Sequence, residues 1–358
     1  MSEIQIDQVL RTAVQRGASD VHLRVGKPPT LRIHGAFVEL PTAVLDDKMM
    51  VAVMRAVAPE PAQIAVTEKE KLGADFATSV EGARFRVCLF KEQGGLALVF
   101  RRLPSKILSP AQIGLPARVL ELAKRERGLF LVTGPTGSGK TTTQASIVDT
   151  LISSVGGVHI VTIEEPTEYR FAQRPGSIVT QREVPTNVPS FQEGLRQALR
   201  QDPDVIVVGE MRDLETTRTA ISAAETGHVV FGTLHTVSAA KTIDRLIEQF
   251  PGSERVQVRS QVSTSLLGVL CQQLIPRADG SGMIAAFEFM ENSPGIANLI
   301  RSEKTEQIES TIQTSGQSLG MQLLDDHLFI LVQQGKIDTN RAIERANRPD
   351  KLRARLRM

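Results

Sequence analysis

The sequence predicts an α/β protein: a parallel sheet that carries a phosphate-binding loop and ends in a helical part, preceded by a smaller α+β domain. Two observations carry this. The stretch Gly134 to Thr143 reads GPTGSGKTTT and meets the pattern GxxxxGK[ST] at Gly134, Gly139, Lys140 and Thr141. From about Ala117 onward, strand-length apolar runs alternate with helical stretches, the pattern of a parallel sheet covered by helices on both faces.

Taken in order, residues 3 to 15 place Ile4, Val9, Leu10 and Val14 on one helical face. Short β-like pieces follow at Val21 to Val25, Thr30 to His34, Arg84 to Phe90 and Leu96 to Phe100. Turn formers separate them, at Gly26 to Pro29, His34-Gly35, Glu81-Gly82 and Gly94-Gly95. A helical segment around Asp47 to Val57 lies between. Residues 1–104 therefore read as a small α+β domain. Pro104, Pro110 and Pro116, with Ser105 and Ser109, mark residues 105–116 as an interdomain linker. Residues 117–358 form the larger domain. Its expected elements are strand 129–133, helix 141–153, strand 158–164, helix 190–200, strand 204–208, helix 213–226 and strand 228–234. The last hundred residues are expected to be mainly helical.

Bulk properties narrow the function. Two domains suit 358 residues. The net charge of +2 provides no large cationic excess for a polyphosphate backbone, and no aromatic-basic face is evident, so nucleic acid is not an expected partner. Cys88 and Cys271 lie far apart without metal-ligand spacing and read as small core residues in a reducing compartment. The N-terminus MSEIQIDQ lacks the basic start and apolar stretch of a signal peptide. No apolar run approaches membrane-spanning length. A cytoplasmic protein is expected, attached to a membrane only through a partner.

The loop chemistry is specific. Glycines let main-chain N–H groups wrap phosphates, so Gly134, Pro135, Thr136, Gly137, Ser138, Gly139, Lys140, Thr141 and Thr142 are the candidate ATP-binding residues. Lys140 provides a point charge for the β- and γ-phosphates, and the Thr141 hydroxyl is a ligand for Mg²⁺. Strand 158–164 ends in Glu164-Glu165-Pro166, and strand 204–208 in Gly209-Glu210. Ligands bind beyond the carboxyl ends of such strands. Glu164 is assigned to orienting and deprotonating water, and Glu210 to the metal, partly through water; the sequence leaves the division between them open. Gly209 stands where the general motif has Asp. His228 and His235 bracket the strand 228–234, and His235, at its carboxyl end, is the better placed to sense phosphate. Both read as coupling or interface residues rather than bases.

Together these motifs resemble the secretion ATPase superfamily that powers type II secretion and type IV pili. Its Asp box is matched by IVTIEEPTEY (160–169), its Walker B by DPDVIVVGEMRD (202–213) and its His box by AAETGHVVFGTLHT (223–236). The segment ASDVHLRVGKPP (18–29) also fits that superfamily, and QREV (181–184), LRQALRQDPDVIVVGEMRDLET (195–216) and SLGMQLLDDHL (318–328) are similar to its twitching-motility, or pilus retraction, branch. The resemblance implies a RecA-like P-loop NTPase domain after a PAS-like domain. It also implies ATP and Mg²⁺ as cofactors, a homohexameric ring, and work done on an inner-membrane pilus platform protein, with a paralogous pilus ATPase as a further partner. Arg86 in ARFRV and Arg101 in LVFRR match the family's phosphate-sensing pair, and Arg84 shares the strand face of Arg86. Two departures stand out. Glu165 replaces an Asp, and GIANLIRS (295–302) carries Gly295, Ala297 and Ser302 where the branch has AIRNLIRE. The alternatives are an accessory retraction paralogue, an extension or secretion motor, and a slow nucleotide-binding regulator of a partner motor.

Overall fold

The computed structural model describes residues 5–33, 35–67, 73–154 and 156–357. The chain divides into two compact units. The first comprises Met1–Lys106 together with Glu165–Arg170, and the second comprises Ile107–Glu164 and Phe171–Met358. Of the expected N-terminal positions, residues 3 and 4 and His34 lie outside the described residues.

The first unit contains α1 (Ile6–Gln15), β1 (Asp20–Arg24), β2 (Thr30–Ile33), β3 (Ala36–Glu39), α2 (Asp47–Val57), α3 (Glu60–Thr67), β4 (Gly73–Val80), β5 (Ala83–Glu92) and β6 (Gly95–Arg102). Its six strands pair antiparallel in the order β3-β2-β1-β6-β5-β4. The alternation of β5 explains the sheet. Phe85, Val87 and Leu89 are buried, while Arg84, Arg86 and Cys88 between them are half-buried. Phe85 meets Phe100 of β6 edge-on at 6.4 Å. Leu10, Val53 and Met54 from α1 and α2 join the same core. Asp46 starts α2 by accepting from the Met49 N–H at 2.8 Å. β3, β4 and α3 add to the sequence expectation. β4, GADFATSV, is mostly small residues with low strand preference, and pairing with β5 holds it extended.

The second unit begins with α4 (Pro110–Ile113), α5 (Ala117–Ala123), β7 (Gly128–Thr133), α6 (Lys140–Ser154), β8 (His159–Glu164), β9 (Ile178–Glu183), α7 (Phe191–Ala198) and β10 (Val205–Val208). It continues through α8 (Leu214–Glu225), β11 (Val229–Leu234), α9 (Ala239–Glu248), α10 (Arg255–Ser265), β12 (Leu266–Pro276) and β13 (Met283–Glu291). α11 (Pro294–Arg301), α12 (Ile308–Ser315), α13 (Leu324–Gln333), α14 (Thr339–Arg345) and α15 (Pro349–Leu356) complete it. The sheet order is β13-β12-β7-β11-β10-β8-β9. Every residue of β7, β10 and β11 is buried, as strands covered on both faces must be. α6 is buried from Thr143 to Val148, so it has no solvent stripe.

Two expectations need refinement. The last hundred residues are mainly helical, as expected, but they also contain two long strands, Leu266–Pro276 and Met283–Glu291. The sheet is not wholly parallel: β12 runs parallel to β7, but β13 returns antiparallel beside β12. The reason is local. Leu266 both ends α10 and opens β12, so a helical pattern runs into an apolar strand with no turn former between. The segment 105–116 holds α4, whose capping box pairs Ser109 with Gln112.

β13 also buries a carboxylate. Glu288 is 4% exposed. Its Oε1 accepts from the Ala239 N–H at 2.7 Å, and its Oε2 from the Leu324 N–H at 3.4 Å, at the first turns of α9 and α13. Burial pushes the carboxyl up to about 7, with the nearby Glu309 and Asp325 adding to the rise against these two amides.

Candidate functional site

The site grows from the carboxyl ends of the parallel strands. β7 ends at Thr133, and the loop Gly134 to Gly139 leads into α6, whose first residues are Lys140, Thr141 and Thr142. A helix begins where the loop ends, so unpaired N–H groups and the positive end of the helix dipole lie at this turn. Gly134 has φ +143°, and a Cβ there would meet the Gln272 carbonyl at 2.2 Å and the Ser138 Oγ at 2.6 Å. Only glycine fits. Gly139 has φ +88°, again in the region that favours glycine. Pro135 accepts from the Ser138 N–H at 3.1 Å, closing the turn. Thr136 and Gly137 are exposed at the tip, whereas Ser138 is buried. Lys140 Nζ donates to the Gly134 carbonyl at 2.8 Å and the Pro135 carbonyl at 3.2 Å. The ammonium thus lies across the loop that it belongs to.

The neighbouring strand ends supply the carboxylates. Glu164 is the last residue of β8; its Oε1 accepts from Thr162 Oγ1 at 2.7 Å, and Gln181 Nε2 stands 3.5 Å away. Gly209 follows β10, and its N–H donates to the Ile163 carbonyl at 2.8 Å. A Cβ at Gly209 would lie 3.1 Å from that same carbonyl and 3.3 Å from Glu164 Cα. The β8 backbone thus lies close against Gly209, the residue that stands where the general motif has Asp. Glu210 comes next. Its Oε1 accepts from Arg212 Nε at 2.6 Å and lies 2.8 Å from His235 Nε2. Burial pushes this carboxyl up, but the bonds to Arg212 and His235 outweigh it and hold it below the ordinary range. Glu210 is thereby kept ionised, and His235, just beyond β11, is tied to it. Thr233 Oγ1 donates to the Gly209 carbonyl and so joins the ends of β10 and β11. His228, at the opposite end of β11, approaches the Ala223 carbonyl at 3.2 Å instead.

The oxygen donors suit a hard cation. Thr141 offers a hydroxyl in the first turn of α6, and Glu210 an ionised carboxylate. Among the described residues no group of three or more His, Cys, Asp or Glu is gathered to hold a metal ion. A hydroxyl and a single carboxylate are the kind of donor set that Mg²⁺ takes, with water and phosphate completing its shell.

Arg86 and Arg101 belong to the first unit, where β5 and β6 place them directly opposite each other. Asp20 of β1 is the register partner of Arg101, and Arg32 of β2 that of Asp20. One row across the sheet therefore reads Arg32, Asp20, Arg101, Arg86. Like charges directly opposite repel. Carboxylates partly offset this: Arg101 Nε donates to Asp20 Oδ1 at 2.9 Å, and Asp75 Oδ1 lies 3.8 Å from Arg86 Nε. Burial raises the Asp20 carboxyl, but its bonds from Arg101 and Ser19 outweigh that and keep it below the usual carboxylate range. The row keeps an excess of positive charge, and Arg101 remains 69% exposed. Arg84, on the same face of β5, donates to the Glu168 carbonyl at 3.2 Å, within the segment Glu165–Arg170 that belongs to this unit.

Sequence reasoning missed Arg212 and Asp20. Both had a signal. Arg212 stands two residues after Glu210, and Asp20 opens the first strand beside a buried Val21.

The chain matches the family described as type II/IV secretion system protein over residues 1–353. It is 45% identical to the type IV pilus retractation ATPase PilT of Pseudomonas aeruginosa, over 97% of this chain and 99% of that one. It is 34% identical to the type IV pilus ATPase PilU of the same organism, over 99% and 92% of the two chains. A crystal structure of the pilus retraction motor PilT with bound ADP superposes with a TM-score of 0.90 at 42% identity, covering 98% of this chain and all of the other.

Proposed function

The chain belongs to the type II/IV secretion system protein family, and from that premise we propose that it is an ATPase motor for type IV pilus retraction, the machinery of twitching motility. One observation carries the reading. The glycine loop with Lys140, the Glu164 carboxylate and the Glu210–His235–Arg212 cluster stand at the same carboxyl edge of one sheet. That edge is where a parallel sheet binds its ligand.

The residues divide the work as follows. Main-chain N–H groups of Thr136 to Thr142 bind the phosphates, and Lys140 leaves its carbonyl partners for the β- and γ-phosphate oxygens. Thr141 and Glu210 would hold Mg²⁺, partly through water, and the bound ion would supply charge neutralisation at the phosphates. Glu164 accepts the proton of the attacking water. His235 reports the state of Glu210 to β11 and the helix after it. The larger unit is RecA-like, the smaller one PAS-like, and residues 105–116 serve as the hinge between domains 1–104 and 117–358. Six copies form a ring in the cytoplasm at the inner membrane, docked on a pilus platform protein. Arg86 and Arg101 from one copy stabilise phosphate charge at another, and loss of that charge releases them.

A second reading is an accessory retraction ATPase working with a paralogous pilus motor, and the segment Gly295–Ser302 favours it. Its departures leave the fold intact. In α11, Ile296 and Ile300 are buried, while Gly295 is exposed and Ala297 half-buried; Ser302, which caps its end, is exposed. A Cβ at Gly295 would meet nothing closer than 3.9 Å. The three residues thus change the surface and not the core. Deleting the gene and imaging pili separates the readings. Long, non-retracting pili support the retraction motor. Unchanged pili with altered retraction rates support the accessory role, and absent pili contradict both.

A further inference from the structure

The phosphate loop rests on a residue of another strand. β12 and β7 share their last register pair at Cys271 and Thr133. β7 then turns into the loop at Gly134, while β12 continues straight to Gln272, which is 2% exposed. Gln272 Nε2 donates to the Ser138 carbonyl at 2.5 Å. The nitrogen must be the atom facing that carbonyl, since two amide oxygens at this distance would repel. Both fixed glycines of the motif sit on this residue. Added Cβ atoms would lie 2.2 Å from the Gln272 carbonyl at Gly134 and 3.1 Å from its Nε2 at Gly139.

We propose that Gln272 is a positioning residue for the phosphate-binding loop, fixing the Ser138–Gly139 peptide so that the Gly139 N–H is turned toward the β-phosphate of a nucleotide. The proposal rests on the reading of this loop as a nucleotide site. The peptide is trans, so its C=O and N–H point in opposite directions. Anchoring the Ser138 oxygen on β12 turns the Gly139 N–H to the opposite side, away from that strand. Glycine at φ +88° leaves this peptide free to rotate without such an anchor. A preset amide avoids the ordering cost on binding that a rotating one incurs. Only the nitrogen of the Gln272 amide is used: Oε1 is buried without a hydrogen-bond partner, while Nε2 is spent on the Ser138 carbonyl, which an apolar side chain at this position would leave without that donor.

The test uses the full chain with Gln272→Leu and the isosteric Gln272→Glu, and equilibrium dialysis of ADP and AMP without other ligands. ADP carries the β-phosphate and AMP lacks it. Wild type is expected to bind ADP more tightly than AMP. Both variants, checked for folding by their melting temperature without nucleotide, are expected to lose about tenfold in ADP affinity and less than about twofold in AMP affinity, the loss of one hydrogen bond to a charged group. Folded variants with an unchanged ADP to AMP ratio overturn the proposal and leave the nucleotide site standing. A wild type that binds neither nucleotide overturns both.

Discussion

Glu288→Gln tests the energetics of the second unit most sharply, because burial and hydrogen bonding oppose each other there. The carboxyl is almost fully buried and accepts from two helix-terminal amides. The amides favour the ionised form and burial favours the neutral one. Burial prevails, raising the group from an ordinary 4.5 to about 7. At about 1.4 kcal/mol per tenfold of proton affinity, that interval is worth roughly 3 kcal/mol. The sign follows from proton counting. Between about 4.5 and about 7 the folded chain holds a proton that the unfolded chain has lost, so stability falls as pH rises through this window and then levels off. The side-chain amide of the variant cannot ionise. The free energy of unfolding of Glu288→Gln minus that of wild type should be flat below the window. It should grow by roughly 3 kcal/mol across it and be flat again above. Urea unfolding followed by circular dichroism, from about pH 4 to about pH 8.5 at one protein concentration, measures this difference. A difference independent of pH would mean that the carboxyl is not shifted. A difference that shrinks as pH rises would mean that the helix termini outweigh burial.

Three further outcomes are expected. Gly134→Ala should abolish nucleotide binding in a dialysis assay, since its Cβ meets a main-chain oxygen at 2.2 Å, whereas Gly137→Ala, with φ +78° and nothing within 4 Å, should cost only about 1 kcal/mol of backbone strain. Arg86→Ala should retain ADP yet lose turnover by roughly a thousandfold, as loss of a transition-state arginine does. Unchanged turnover would remove Arg86 from the mechanism, and stability should move by less than about 1 kcal/mol because its Asp75 partner is on the surface. Replacing Arg212 and His235 together by Ala leaves Glu210 with burial alone, so its carboxyl should rise and the acid limb of the rate profile should move to higher pH. An acid limb that stays in place would assign it to another group.

The strands that bear the site were readable in the sequence because each is a short, mostly apolar run that leads into a polar or glycine residue. Val205–Val208 before Gly209-Glu210 is the clearest case. Gly134 to Thr143 was equally legible, since its spacing encodes main-chain geometry rather than packing. Elements that depend on distant partners were not. β13 mixes Ala and Glu with Phe, and only pairing with β12 makes it a strand. Glu288 left a trace as a carboxylate inside an apolar run, and Gln272 as a polar residue after one, yet neither shows its partner in sequence. Ala239 and Ser138 are brought to them by the fold. The row of Arg32, Asp20, Arg101 and Arg86 likewise exists only through strand register.

Magnesium-dependent phosphate release by purified full chain, compared with Lys140→Ala at equal concentration and equal assembly by light scattering, bears most directly on the central claim. Steady turnover by the wild type, with the variant at background and the same particle mass, is the expected result. Equal release from the two proteins would contradict the assignment of ATP hydrolysis to the Gly134–Thr142 loop.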